Sequence, residues 1–262
     1  MPDSPLLAVD IGNARIKIGL FRRLTLKDGL PEPDEILPLD GEQPPLERIA
    51  DWLTPFAPPT RIASLPWFIA SVNRPASTRL IDWLGAHRPD DCVALLSSAD
   101  LPLEVRLDRP DMVGIDRLVD AVAVNRLREP GRPAAIVDVG SAITVDLVSA
   151  DGAFLGGSIL PGLAMSARAM HEFTDLLPLI EVANLHEPPP ALGTCTGEAM
   201  RSGLFWGAVG AIRTLIEELG RPAGGKPQIF LTGGAGVAVA ELLGADARHV
   251  PHLTLAGIAL SV

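Results

Sequence analysis

The sequence predicts an α/β protein of two related halves, each a mixed β-sheet flanked by helices. Three observations carry that expectation. Strand-like runs alternate with helix-like runs along the whole chain. Each half opens on the same device, a short apolar run, an acid, a glycine turn and a second strand. In the first half Leu6-Leu-Ala-Val9 runs into Asp10-Ile-Gly-Asn13, and Ile16 to Phe21 continues. In the second, Ala134-Ala-Ile-Val137 runs into Asp138-Val-Gly-Ser141, and Ile143 to Val148 continues. Finally, Glu129-Pro-Gly-Arg-Pro133 is rich in turn residues and breaks the chain between the two devices. The expected domains are residues 1–118 and 119–262.

Taken in order, residues 6–10 and 15–21 pair about a turn at Gly12-Asn13. From Asp28 to Pro45, loops rich in Pro, Asp, Glu and Gly surround a short strand, Glu35 to Leu39. Leu46, Ile49, Ala50 and Leu53 share one helical face, and Pro55, Pro58 and Pro59 end that helix. Trp67 to Val72 reads as a buried strand, with Ser77 as candidate cap of a helix to about His87. Cys92 to Leu96 and Leu103 to Leu107 are short strands. The loop Asp108 to Ile115 leads to a helix opened by Asp116, with Leu118, Val119, Val122 and Ala123 apolar. In the second half, Ala153 to Leu160 is a third strand. Its Gly156-Gly157 pair marks a bulge or a close backbone approach. A helix runs from about Leu163 to Phe173, Leu176 to Leu185 shows no clear period, and His186 to Pro190 is a rigid loop. Gly197 to Leu219 is the longest helix. Gln228 to Thr232 is a strand running into Gly233-Gly234-Ala-Gly236 and a further helix. A short strand near His249-Val250 and a helix from about Leu253 close the chain.

Composition narrows the function. With 47% hydrophobic and 21% charged residues over 262 positions, the chain can build a large core. A formal net charge of -10 and the absence of tyrosine argue against a nucleic-acid partner, which calls for basic surface and stacking platforms. Cys92 and Cys195 belong to no metal-binding spacing and read as buried, reduced thiols. No run approaches the ~20 apolar residues of a bilayer span. The expected protein is cytoplasmic, with no membrane partner.

Phosphate binding needs backbone N–H donors at close range, which glycine turns after strands supply. Gly12-Asn13, Gly140-Ser141 and Gly233 to Gly236 are the candidates. The P-loop and dinucleotide glycine motifs are both missing. Asp10 and Asp138 each precede a glycine at a strand end. Two readings are open for them: holding a cation or its water beside phosphates, or capping their own turns. Lys17 is either a phosphate contact or a solvated side chain. Gly114-Ile115-Asp116-Arg117 delivers an acid and a base at a helix start. Asp116 is either an N-cap or a general base for an attacking hydroxyl, with Arg117 placed to pair with a substrate carboxylate. These parts suit a phosphotransferase with nucleotide between its two halves.

In order along nearly the whole chain, these elements resemble type III pantothenate kinase. That family belongs to the acetate-kinase, sugar-kinase and actin-like ATPase (ribonuclease H-like) superfamily. Asp10-Ile-Gly-Asn-Ala-Arg-Ile-Lys17 is similar to its first phosphate motif, DxGNT, and Ser71-Val72-Asn73 to its SV element. Asp108 to Arg117 resembles the substrate loop with GxDR, and Asp138 to Asp146 the DxGTAxTxD motif. Gly156 to Gly162 is similar to GGxIxPG, Thr174 to Pro178 to TxxLP, Gly193 to Thr196 to GxxT, and Thr232 to Gly234 to TGG.

The resemblance implies ATP-dependent phosphorylation of pantothenate, the first step towards coenzyme A, with the active site in an inter-domain cleft. Asp10, Gly12, Asn13, Lys17 and Ser141 would contact ATP, accompanied by Mg2+. Gly114, Ile115, Asp116, Arg117 and Thr196 would contact pantothenate, with Asp116 as catalytic base. Asp138 would hold a monovalent cation, K+ or NH4+. The resemblance also implies a homodimer with the substrate site at the subunit interface. Two positions depart from the family pattern. Ala14 replaces the DxGNT threonine, and Leu107 stands at the substrate position where the family usually has tyrosine. They keep open a kinase with an altered substrate, or a non-catalytic regulator of the same fold.

Overall fold

The computed structural model describes residues 4–55, 64–182 and 187–262. Pro58 and Pro59, expected to end the first helix, and His186 of the expected proline loop lie outside the described residues. The first elements are β1 (Leu6–Ile11), β2 (Arg15–Phe21), β3 (Leu26–Lys27), β4 (Leu30–Pro31), β5 (Glu35–Asp40) and α1 (Glu47–Leu53). Next come β6 (Pro66–Ser71), α2 (Arg74–His87), β7 (Cys92–Leu95) and α3 (Ile115–Leu127). The chain continues through β8 (Ala134–Val139), β9 (Ala142–Val148), β10 (Phe154–Pro161), α4 (Leu163–Glu172) and α5 (Thr196–Gly220). It ends with β11 (Gln228–Thr232), α6 (Gly236–Leu243), β12 (Ala247–His249) and α7 (Leu253–Leu260).

The two large sheets follow one plan. Their strand orders are β5-β2-β1-β6-β7 and β10-β9-β8-β11-β12. In each, the first strand of the opening hairpin is central. It pairs antiparallel with its hairpin partner on one side and parallel with a later strand on the other. Central strands are covered on both faces, which is why Leu6–Ile11 and Ala134–Val139 read as continuous apolar runs broken only by their acids. The first core joins Val9, Ile11, Ile18, Trp67 and Ile69 to Ile49 and Leu53 of α1 and Leu80 and Leu84 of α2. The second joins Val137, Ile143 and Val145 to Phe205, Val209 and Ile212 of α5 and Val239 of α6.

Trp67 is fully buried, and its polar atom is satisfied. The indole Nε1 donates to Asp91 Oδ2 at 2.8 Å, and Leu65 N donates to Asp91 Oδ1 at 3.0 Å. Arg88 completes the set with Nε on Oδ2 and Nη2 on Oδ1. Burial opposes the charge of Asp91, but these donors outweigh it and hold the carboxyl below its ordinary value.

The chain forms two compact units. One comprises Met1–Leu103, Asp108–Leu127 and His252–Val262, the other Glu104–Leu107 and Arg128–Pro251. This division differs from the expected 1–118 and 119–262. α3 stays with the first unit to its end, residues 104–107 join the second, and α7 returns to the first. The reason lies in α7 itself. Its sequence, LTLAGIAL, is apolar on every side, and residues 253–259 are all buried. Such a helix has to be covered all round. It packs on α3 and β1, and a Cβ on Gly257 would stand 1.9 Å from the Val119 carbonyl oxygen.

Local details also differ from the sequence reading. Asn73, not Ser77, caps α2, its side chain accepting from Ala76 N at 3.1 Å. Ala50 is exposed, because α1 buries only Ile49 and Leu53. Leu103 to Leu107 forms no strand but a single parallel bridge, Val105 to Phe154. Cys92 and Cys195 are exposed, the first on an edge strand and the second before α5. Among the described residues no helix is long and apolar enough to cross a membrane.

Gly257→Ala should lower stability by at least about 2 kcal/mol, because backbone faces the new methyl group and cannot yield. Urea unfolding followed by circular dichroism measures this, and an unchanged midpoint would contradict the close packing of α7 on α3.

Candidate active site

In the first unit, β1 ends on Asp10 and Ile11, and the turn closes with Gly12 N donating to Arg15 O at 3.0 Å. Gly12 is half-buried, and Asn13 is exposed at the tip. A second loop braces this turn. Gly41 N donates to Ala14 O at 3.0 Å, and a Cβ on Gly41 would meet Ala14 and Asn13 backbone at 2.7–2.8 Å. No local pattern in the sequence marks Gly41, since its partner lies across the β2–β5 pairing.

Lys17 is the register partner of Asp10, and Nζ lies 3.9 Å from Oδ2. The Asp10 side chain is only 15% exposed. Burial therefore pushes its carboxyl up to about 6, with Lys17 pulling it down and the charge of Asp116 pushing it up. Asp116 is the second residue of α3, behind Ile115, and so is not the helix N-cap. Its Oδ1 accepts from Arg117 N at 2.8 Å. Burial raises its carboxyl, opposed by that hydrogen bond and by the Arg117 charge. Gly114 leaves the room this carboxylate needs, because a Cβ there would stand 2.5 Å from Asp116 Oδ1. The first unit thus brings Asp10, Lys17 and Asp116 into one electrostatic neighbourhood, with Gly114, Ile115 and Arg117 on the same helix start. Two carboxylates raised by burial suit a cation or a transferred proton.

The second unit repeats the turn with different neighbours. Gly140 N donates to Ala142 O at 3.0 Å, and Gly140 and Ser141 are exposed. The register partners of Asp138 are Thr144 on β9 and Thr232 on β11. The matching partners of Asp10 are Lys17 and Ala70. One carboxylate is flanked by a cation and an apolar residue, the other by two hydroxyls. Gly233, at φ +89°, lies against Asp138, and a Cβ there would stand 2.3 Å from Oδ1. Gly162 N donates to Ser141 O at 3.1 Å, and a Cβ on Gly162 would meet the Ser141 carbonyl at 2.4 Å. Three glycine turns distant in sequence therefore converge around Asp138 and Ser141. Thr144, Thr232 and Gly162 were not singled out for this in the sequence, because only strand pairing brings them there.

Thr196 is the exposed first residue of α5, two residues after Thr194, which Glu198 holds by accepting from its N and Oγ1. Leu107 is half-buried, with Cδ2 3.2 Å from where a Cβ on Gly156 would stand. Gly156 itself has φ +98° at the bulge in β10. Both residues belong to the second unit. Among the described residues no group of three or more His, Cys, Asp or Glu forms a metal cage. Mg2+ commonly takes one or two carboxylates together with phosphate oxygens and waters, and the largely buried Asp10 fits that demand.

Paired sheets of identical order, each with an acid and a glycine turn on its central strand, define the sugar-kinase and actin-like ATPase class of fold. A glucokinase from an Antarctic psychrotroph shares it with a TM-score of 0.50 at 10% identity, covering 98% of each chain. The ethanolamine utilization protein EutJ of Carboxydothermus hydrogenoformans does so with a TM-score of 0.51 at 12% identity, covering 100% of this chain and 91% of the other. Within that class, the family model for type III pantothenate kinase matches residues 6–218. Type III pantothenate kinase of Paramagnetospirillum magneticum is 33% identical over 259 residues, 97% of this chain and 95% of the relative. That of Dehalococcoides mccartyi is 31% identical over 264 residues, with the same coverage. The chain belongs to the type III pantothenate kinase family.

The environment of Asp10 has a measurable consequence for stability. Its carboxyl has an ordinary value of 3.8 and a folded value of about 6. The folded state therefore holds the proton more tightly. Stability declines as pH rises through that window, and the full penalty stands above it. In buffer without nucleotide or divalent metal, Asp10→Asn should be more stable than the parent at pH 7 by up to about 3 kcal/mol. The gain should shrink towards zero near pH 4. Urea titrations at both pH values test this, and a variant no more stable at pH 7 would contradict the desolvated carboxylate.

Proposed function

We propose that this protein transfers the γ-phosphoryl group of ATP to pantothenate, forming 4′-phosphopantothenate and ADP. The observation that carries the mechanism is the half-buried Asp116, set at the first turn of α3 behind Gly114, its carboxyl raised by desolvation. Phosphoryl transfer asks the protein for positioning, charge neutralisation and a base. Asp116 takes the proton of the attacking hydroxyl, and Arg117 pairs with the pantothenate carboxylate. Gly114, Ile115, Thr196 and Leu107 line the pantothenate side.

ATP is held by Gly12, Asn13, Lys17 and Ser141, with Asp10 beside its phosphates. Mg2+, which accompanies ATP and neutralises charge on the phosphates, would be held by Asp10. Asp138 holds a monovalent cation, K+ or NH4+. Its register partners on the flanking strands, Thr144 and Thr232, are both hydroxyl residues, a hard-oxygen composition that supports this assignment. The working form is a cytoplasmic homodimer with the pantothenate site at the subunit interface.

Purified protein with ATP, Mg2+ and K+ should yield 4′-phosphopantothenate. Asp116→Asn should lower kcat by about 10²–10⁴-fold with little change in fold. Turnover of the variant at the parent rate would remove Asp116 as the base. Replacing K+ with Na+ should lower the rate of the parent enzyme, and Asp138→Asn should no longer respond to the exchange. Equal cation responses in the two proteins would rule out Asp138 as the cation site.

A second reading, a kinase for a related small hydroxyl compound, is favoured by Leu107. Its apolar side chain against Gly156 offers no hydrogen bond where the family usually has a phenol. A panel of hydroxyl substrates, with pantothenate turned over least well, would select it.

A further inference from the structure

The stretch that leads into α5 lies back along that helix. Pro188, Pro189 and Pro190 fix their φ angles and hold the chain extended. They bring no N–H, so the backbone of this run can be tied down only through its carbonyl oxygens. α5 supplies the donors. Trp206 Nε1 donates to Pro189 O at 3.0 Å, and Ser202 Oγ donates to Ala191 O at 2.7 Å. One turn nearer the helix start the roles reverse. Glu198 Oε2 accepts from Thr194 N at 2.8 Å and from Thr194 Oγ1 at 2.7 Å.

Glu198, Ser202 and Trp206 are spaced four residues apart and form one stripe of α5. Each step along that stripe rises ~6 Å, and two residues of extended chain, such as Pro189 to Ala191, cover ~6–7 Å. The two spacings match, so the segment 189–194 runs antiparallel to α5 with its attachments in step. Between Ala191 and Thr194 the chain draws in at Gly193, where a Cβ would collide with Ala199 N. The anchors are themselves held. Ser202 is buried, and the Trp206 ring stands edge-on to the core residue Phe205, with centroids 5.5 Å apart.

α5 begins at Thr196 with no side-chain cap from Cys195. Glu198 does what a cap would, gripping the chain two residues before Thr196. The two Thr194 donors hold the Glu198 carboxyl below its ordinary value, so it stays ionised, and a negative charge suits the first turn of a helix. The place of the exposed Thr196 hydroxyl therefore depends on this hold. We propose that Glu198, Ser202 and Trp206 form a rail for the 189–194 segment, and that they are positioning residues for Thr196, which the kinase reading sets against pantothenate. Every residue of the rail, and Thr196 itself, lies in the one unit that contains Arg128–Pro251. The catalytic consequence rests on the kinase reading, and the rail does not.

Glu198→Ala, Ser202→Ala and Trp206→Phe each remove one attachment from the full-length protein, whereas Glu198→Gln keeps a carbonyl oxygen able to accept from Thr194. Chymotrypsin cleavage after Leu192, mapped by mass spectrometry, reads the rail. Leu192 is exposed, but its backbone has to come away from α5 before a protease can seat it. Each of the three deletions should speed that cut by about fivefold, and Glu198→Gln by less than about twofold. Glu198→Ala should raise KM for pantothenate about tenfold, with KM for ATP within about twofold and the melting temperature held. Glu198→Gln should recover most of that loss. Unchanged cleavage in all three deletions overturns the rail, whether or not the protein turns over pantothenate. Faster cleavage with an unchanged KM for pantothenate overturns the positioning role. A loss shared by both substrates, with a lower melting temperature and Glu198→Gln no better than Glu198→Ala, reduces the contacts to stability alone and overturns it as well. Failure of the parent enzyme to phosphorylate pantothenate counts against the kinase reading, and the cleavage measurement still decides the rail.

Discussion

Ionised carboxylates are costly to withdraw from water, and the ends of the two central strands are built around that cost. Asp10 is largely buried beside Lys17, and its carboxyl is still pushed up to about 6. Its neighbour Asp116 is raised as well. Lys17 pulls the first carboxyl down and Arg117 the second, but burial outweighs both. A metal-bound polyphosphate, or a proton taken from a hydroxyl, relieves that cost. The surrounding glycines follow from the same constraint. Gly114 and Gly233 leave no side chain where Asp116 and Asp138 place their oxygens. Gly41 and Gly162 let neighbouring loops close against the two turns.

The halves share one sheet order but have diverged at matched positions. Beside Asp10 stand Lys17 and Ala70, and beside Asp138 stand Thr144 and Thr232. A carboxylate next to an ammonium and a carboxylate next to two hydroxyls have different ligand preferences, although they occupy the same place on the same scaffold. The shared sheet order supplies the geometry, and the flanking strands supply the chemistry. The membership of α7 marks a further asymmetry. It follows the second sheet in sequence, yet its apolar circumference is satisfied against α3 and β1.

Much of this was legible in one dimension. The opening hairpins, the buried strand at Trp67, the longest helix and the strand Gln228–Thr232 all follow from apolar runs and turn residues, which are local signals. Asp10, Asp138 and the Gly114 to Arg117 run stood out because an acid beside a glycine at a strand or helix end is itself a local pattern. Other features were hidden. Asn73 took the cap expected of Ser77 because capping depends on where the chain leaves β6. The two cysteines are exposed because their neighbours, an edge strand and a helix start, leave them uncovered.

The sequence by itself determined the alternation of elements, the doubled hairpin and the residue types at the candidate site, since each depends on neighbours a few positions away. Only the tertiary structure decided which carboxylates share a field, which hydroxyls flank Asp138, and where α7 belongs. It also decided that Arg106 and Arg128 meet one turn, residues 149–152 between β9 and β10, at Asp151 and Ala150. Apart from Asp138 and Thr144, which face each other across one hairpin, these are pairings between residues tens to more than a hundred positions apart. They are set by strand register and by the need to cover apolar surface, and a linear pattern carries neither.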